Sequence, residues 1–446
     1  MGCATWGRGL VAGGTATRRS ETPLEPGTRE PSGMMRSIRL YPAFRMLTFG
    51  TLASSSAFWM YQVAMGWLAL DLTDSAFFVG LAGFAGGIPL LIFSIPAGLV
   101  IDRSDRRKVL LMAQFGVMVV SAILALMVAT GLIEPWSMLV LVALNGTIMT
   151  FIFPVRTAIV PSLVSREDLA NAIALTSAAQ NATRVVGPSL AGILIALTGT
   201  PATFALAAIA QGLAIFGIWQ LPPSRTEGAS AGGRRWSDLT LGFRVVATTP
   251  FLLAMIVLAL APTVLVMPYI NLMPVFARDE LALGATGLGV LLASVGLGTV
   301  AGALMVARSP SIQHRRGAQV LTAIGFAIAV LLFSFTGNVV VAIVVLFIAG
   351  WTSAAFMAIN QTTIQLGVDD NVRGRVLSIY LLTWGMLPVG QLAVGALAGV
   401  IGTPMAMAAS CVAAIACIGL IVVRFPLLTA PTVEALGSIE ERAGTA

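Results

Sequence analysis

The chain is poor in the residues that most protein chemistry draws on. Its 446 residues include one histidine, three cysteines and four tyrosines, and charged side chains make up only 10%. Cys3 lies far from Cys411 and Cys417, which share one apolar run, so neither a disulfide framework nor a metal-ligand spacing is present. The single histidine, His314, stands beside Arg315 and Arg316 in a loop-like stretch. That leaves no triad, metal cluster or phosphate loop on which to build an enzyme. GASAG (228–232) matches the spacing of a nucleophile elbow, but no strand precedes it and no helix pattern follows directly, so chance in a Gly/Ala/Ser linker explains it better. No cofactor is expected. Lys108 is the only lysine, and the formal net charge of +7 comes from arginines scattered in short loops between apolar runs. That pattern signals membrane topology rather than a nucleic-acid-binding face. Rings of charge and filter-like loops, which a channel needs, are also missing from the sequence.

What the chain has instead is apolar length. It is 57% hydrophobic, its mean hydropathy is +0.92, and runs long enough to cross a bilayer recur throughout. This predicts an all-α membrane protein with about 12 transmembrane helices: 43–69, 76–100, 109–130, 136–156, 168–196, 202–220, 248–273, 283–306, 318–335, 339–361, 375–400 and 404–424. Residues 1–40 hold no apolar stretch long enough for a signal peptide and read as a disordered tail, with Met34 or Met35 as alternative starts. Residues 425–446 read as a second tail.

Connections on one side of the membrane carry Arg36, Arg39 and Arg45, Arg103 to Lys108, Arg156 and Arg166, Arg225 to Arg244, Arg308 to Arg316, Arg373 and Arg375. Those on the other side carry Asp71, Asp74, Glu134, Asp279 and Glu280, with Arg278 as their only base. The positive-inside rule makes the basic side cytoplasmic and puts both termini there, in the plasma (inner) membrane. The longest connection, residues 221–247, divides a first bundle (41–220) from a second (248–424). Its first part reads as a flexible linker. Its second part, with Trp236, Leu239, Leu241 and Phe243 among Arg234, Arg235 and Arg244, fits either a surface-lying amphipathic helix or an irregular basic loop.

The two bundles resemble each other. SIPAGLVIDR (94–103) and GTVAGALMVAR (298–308) align at an offset of 204, since 302 minus 98 is 204. The same offset sets LVSREDLANAIAL (163–175) against GVDDNVRGRVLSI (367–379). Two matches at one offset predict an internal duplication, and parallel six-helix repeats belong to carriers whose halves rock about a midplane site.

Gly98, Asp102, Arg103, Arg106, Arg107 and Lys108 spell G-x-x-x-D-R-x-x-R-R-K between the second and third spans. In spacing and location this resembles the signature loop of the major facilitator superfamily, except that Asp105 stands where the family usually has glycine. P-x-R-x-A-x-x-P-x-L-V (Pro154 to Val164) and N-x-x-R-x-x-G-P (Asn181 to Pro188) resemble the exporter branch, the transmembrane secretion effectors. The resemblance covers residues 41–424. It implies alternating access, small-molecule export in exchange for protons, a monomer, and no partner beyond substrate and lipid. Uptake of a small metabolite uses the same scaffold, but it should show more acidic and hydrogen-bonding groups within the spans.

Asp102 ends the second span, where the helix dipole disfavours an anion, so it needs Arg103, Arg106 or another helix's N-terminus. The resemblance implies the start of the eleventh span, near Gly374 and Arg375. Such a contact joins the halves when the basic side is closed and biases the outward-facing state by about 1–3 kcal/mol. The alternative is that these bases only set topology and touch anionic lipid. In the fifth span Asn181, Arg184, Pro188 and Gly192 fall on one helical face, and an arginine at that depth calls for a hydrated cavity. There GPSLAG, with Gly187, resembles an antiporter motif, weakened by Ala191 at a position often held by glycine; packing and kinking are the alternative. Ser55, Trp59 and Gln62 share a face of the first span and Tyr380, Trp384 and Gln391 a face of the eleventh, while Asn145 and Asn271 are isolated polar residues. Together they suggest an apolar pocket with aromatic walls for an amphiphilic compound, although each residue singly fits interface anchoring or helix bonding as well. Every carboxylate lies at a span end or in a loop, and Asp71 is the remaining candidate for a proton site.

Overall fold

The computed structural model describes residues 35–222, 243–308, 317–368 and 370–425. GASAG, His314 and most of the linker lie outside them. So do residues 1–34, residues 426–446 and the side chain of Asp102.

Among the described residues, nine helices are long and apolar enough to cross a bilayer. Leu169–Trp219 holds two spans, because Gly199 (φ 83°) breaks it. Ala318–Ser334 is shorter but apolar. Pro42–Thr73 is the remaining span, its hydropathy lowered by serines, threonines and Gln62. The twelve expected spans are therefore present.

The internal repeat is visible in the backbone. Gly199 and Gly402 (φ 85°) both occupy left-handed conformations that glycine adopts without strain. Each is followed by Thr-Pro, with the proline pre-set for the first turn of the next span. Gly146 and Gly350, which differ by 204, both sit where helices touch backbone to backbone. A Cβ on Gly146 would lie 2.0 Å from the Gly86 carbonyl, and one on Gly350 2.1 Å from that of Val295. Hence the fourth span lies on the second as the tenth lies on the eighth.

Two spans are broken near their midpoints. The seventh runs Pro250–Leu265, restarts at Tyr269–Val275 and ends in a π-helical turn, Phe276–Glu280. Pro268 has no N–H for the Val264 carbonyl, Tyr269 N turns to the Val266 carbonyl at 3.1 Å, and Ser410 Oγ donates to the Leu265 carbonyl this leaves free, at 2.6 Å. The eleventh consists of Asp370–Trp384 and Leu387–Ile401. There Pro388 cannot donate to Trp384, four residues earlier.

The fourth span is longer than the sequence suggests, Pro135–Leu163 rather than 136–156. Arg156 is therefore not a loop base; it lies within the helix and is buried. On the basic side the chain is helical from Arg36, earlier than the expected tail boundary at residue 40. Arg36 Nε pairs with Asp168 at 3.1 Å, and Ser37 Oγ donates to Asn171 Oδ1 at 2.7 Å, fixing this turn to the start of the fifth span.

The packing reveals how the halves meet. On the acidic side one hydrophobic core runs through both, from Tyr61, Phe204 and Ala191 to Leu288, Tyr269 and Phe326. On the basic side the cores are separate: Phe44, Leu110 and Ile159 in the first half; Phe251, Met255 and Ile418 in the second, with a smaller cluster of Val306, Ala318, Ala355 and Ile359.

The Gly146 contact tests this packing. Gly146→Val must force the second and fourth spans apart, which costs about 1–3 kcal/mol. The expected result is a clear loss of the monodisperse peak in size-exclusion chromatography, with Gly146→Ala intermediate.

Candidate functional site

A cavity of about 500 Å³ lies between the halves at the depth of the two helix breaks. The first half contributes most of its wall, from Ser54 to Met65, Ala82 to Leu90 and Val142 to Arg156, with Gln180 and Arg184 from the fifth span. The second half adds Asn271 beside the break in the seventh span and Trp384, Leu387, Pro388 and Gln391 around the break in the eleventh. The breaks thus place side chains where a continuous helix would present only its lateral face.

The acidic side is sealed by glycines at two seams related by the pseudo-twofold axis. A Cβ on Gly395 of the eleventh span would lie 2.8 Å from Gly80 Cα of the second. One on Gly192 of the fifth would lie 2.8 Å from Gly289 Cα of the eighth. Small residues allow this closeness, and dispersion between backbones supplies the contact. Above the seams Arg278 of the second half reaches across to the first. It pairs with Asp74 at 2.8 Å and donates to the Leu70 carbonyl at 3.3 Å, braced by Asp279 at 2.7 Å. Asp74 is 83% exposed, so this latch contributes at most about 1 kcal/mol. On the basic side, a Cβ on Gly98 or Gly374 would meet nothing within 4 Å. The cavity is closed on the acidic side and open on the basic side.

The signature loop is built locally. Asp105 has extended backbone (φ −65°, ψ 112°), and its carboxylate caps the third span by accepting from Arg107 N at 2.9 Å. A left-handed glycine is unnecessary there, which explains the departure from the family pattern. Arg106 Nη1 donates to the Ala158 carbonyl at 3.1 Å, and Arg107 donates to the Trp219 carbonyl at the end of the sixth span. Both bases therefore bind carbonyls of their own half, Arg107 at a helix C-terminus. Arg103 and Lys108 are exposed.

Of the expected cavity residues, Trp59, Gln62, Asn145, Asn271, Trp384 and Gln391 line the wall. Asn271 Nδ2 donates to the Val79 carbonyl at 2.8 Å, joining the halves. Tyr380 does not line it. The helix breaks after Trp384, so Tyr380 and Gln391 do not share one continuous face, and Tyr380 packs in the second half's basic-side core with Phe251 and Ile379. The fifth-span residues divide between tasks. Arg184 lines the cavity with its guanidinium 5.8 Å from the centre of the Trp59 ring. Gly187 admits Trp59, whose Cβ would lie 2.6 Å from an added methyl, while Pro188 and Gly192 meet the eighth span. Asn181 is half-buried beside Gln180, which lines the wall instead.

The residue that sequence reading passed over is Arg156. It lines the cavity, is only 7% exposed, and donates to the Ser54 and Ser55 hydroxyls of the first span. A span boundary placed at the charge hides it; the available signal is an arginine between Pro154 and Pro161, with seven further helical residues after it. Buried Gln114 and Gln211 also line the wall, and the Gln114 amide and Asn145 Nδ2 make no hydrogen bond to protein.

Two six-helix bundles related by an internal repeat, around a central cavity, are the architecture of the major facilitator class. Residues 39–442 match the family of transmembrane secretion effectors, and the chain belongs to it. It is a multi-pass membrane transporter rather than an enzyme. Among curated relatives, the staphyloferrin A transporter of Staphylococcus aureus is 25% identical over 77% of this chain and 86% of its own. The multidrug efflux pump Tap of Mycolicibacterium fortuitum is 27% identical over 80% and 89%. The enterobactin exporter EntS of Shigella flexneri is 26% identical over 84% and 88%. Among solved structures, an inward-facing, occupied bacterial homologue of the human lysosomal transporter Spinster matches with a TM-score of 0.69 at 14% identity. That match covers 91% of this chain and 99% of the other, and speaks to fold alone.

The latch is open to test in a background with Cys3, Cys411 and Cys417 replaced and Gln62→Cys added. Arg278→Gln should raise labelling of that cysteine by an impermeant maleimide from the acidic side up to about fivefold. Unchanged labelling would show that the latch does not bias the two states.

Proposed function

We propose that this protein takes a small amphiphilic molecule of drug, macrolide or siderophore type from the cytoplasm and releases it outside by alternating access, in exchange for protons. The basic side is cytoplasmic, both termini lie there, and the protein works as a monomer in the inner membrane. One observation carries the reading: the cavity lies between two halves that share a core on the acidic side and have separate cores on the basic side. A substrate entering from the basic side meets aromatic walls at Phe58, Trp59 and Trp384 and amides at Gln62 and Asn145. Parting of the Gly80–Gly395 and Gly192–Gly289 seams and of the Arg278 latch then opens the other face. Meanwhile Asp102 approaches the start of the eleventh span and stabilises the closed basic side. The fifth span, carrying Arg184, Gly187, Pro188 and Gly192, links cavity to seam and is the element through which substrate biases the motion. The names of the siderophore and drug relatives support export of a bulky organic molecule. Among the described residues no carboxylate lines the cavity; Asp71, exposed at the outer end of the first span, is the candidate proton carrier.

Cells expressing the protein should hold severalfold less of at least one member of a panel of dyes, macrolides and siderophores than cells without it. An uncoupler should abolish the difference. Higher accumulation in expressing cells would turn the reading towards uptake. Asp102→Asn should slow transport while membrane insertion stays normal, and an unchanged rate would remove Asp102 from the gate.

A further inference from the structure

We propose that the exported molecule is an organic anion, held by Arg156 and Arg184; this rests on the export reading above. Among the described lining residues these are the only charged side chains, and both are cationic. Neither has a carboxylate partner. Arg156 is buried yet compensated by nothing stronger than two serine hydroxyls. Arg184 is exposed where it lines the cavity, with its guanidinium beside the Trp59 ring. The buried Arg156 charge has no counter-charge in the protein, which is costly, and an anion entering the open cavity supplies one.

The surrounding groups fit the same class of ligand. Gln114 and Asn145 offer amide N–H donors that no protein acceptor takes up. A guanidinium fork matches a carboxylate or paired acidic oxygens, while Phe58, Trp59 and Trp384 suit a flat aromatic body. A cation in the same space gains from the rings but faces two uncompensated arginines, which reject it.

The internal repeat sharpens the point. At the 204-residue offset, Arg156 corresponds to Asn360 and Arg184 to Pro388. Asn360 makes the equivalent link from the tenth span to the seventh, donating to the Met255 carbonyl at 3.3 Å. A neutral amide thus serves the structural link in the second half. The positive charges in the first half are additional to what helix packing requires.

The test compares two dyes that share a xanthene core, anionic carboxyfluorescein and cationic rhodamine 6G, using full-length protein in nanodiscs. Fluorescence anisotropy should show the anion binding at least tenfold tighter. Arg184→Gln and Arg156→Gln should each weaken anion binding at least tenfold and narrow the gap between the dyes, and Arg→Lys at either position should restore part of it. The lysine variants and Arg184→Gln keep the test decisive if Arg156→Gln fails to fold. Equal binding of the dyes, or tighter rhodamine binding, would overturn the anion assignment and leave export intact. Tight anion binding together with raised carboxyfluorescein in expressing cells would overturn export and leave the arginine site standing. Binding of neither dye above empty nanodiscs would count against both.

Discussion

The structure depends on the close approach of helix backbones across the acidic-side interface. Gly80 against Gly395 and Gly192 against Gly289 bring four spans together at distances no side chain permits. Only because these pairs meet can the residues around them, from Ala191 to Leu288, join into one core. Where the seams end, the core divides. The cavity is the space between that division and the breaks in the seventh and eleventh spans.

The duplicated architecture carries an unequal distribution of polarity. Hydrogen bonds from the fourth span to the first and from the tenth to the seventh occupy equivalent positions, yet one uses a guanidinium and the other an amide. Most of the cavity wall also comes from the first half. In the proposed cycle, symmetry governs how the halves move, and its local loss governs what they hold. The signature-loop arginines belong to the first of these tasks, since Arg106 and Arg107 bind the carbonyls of neighbouring helices and brace the first half as a unit.

Much of the fold is legible in the sequence because a bilayer makes few demands, each of which leaves a long trace. The spans, the basic and acidic loops and the 204-residue repeat all follow from it. The site is less legible for three physical reasons. Arg156 was hidden by the convention that charge ends a span, whereas this helix continues to Leu163 because its arginine faces a cavity. Helical periodicity puts Tyr380 on the face of Trp384 and Gln391, and the break after Trp384 interrupts that periodicity. Gly192 is a seam residue, and nothing local distinguishes a glycine that packs on another helix from one that lines a chamber. Asp105 shows the opposite case, a departure from a family pattern that the structure explains with one capping hydrogen bond.

The seams have a consequence for speed. What meets there is main chain, already satisfied by its own helical ladder. At the glycine pairs themselves separation breaks no hydrogen bond; the side-chain bonds across the halves, Asn271 to the Val79 carbonyl and Arg278 to the Leu70 carbonyl, lie beside them. A joint of this kind is tight when shut yet offers little friction when it parts, which suits a surface that, in the proposed cycle, opens and closes once for every molecule carried.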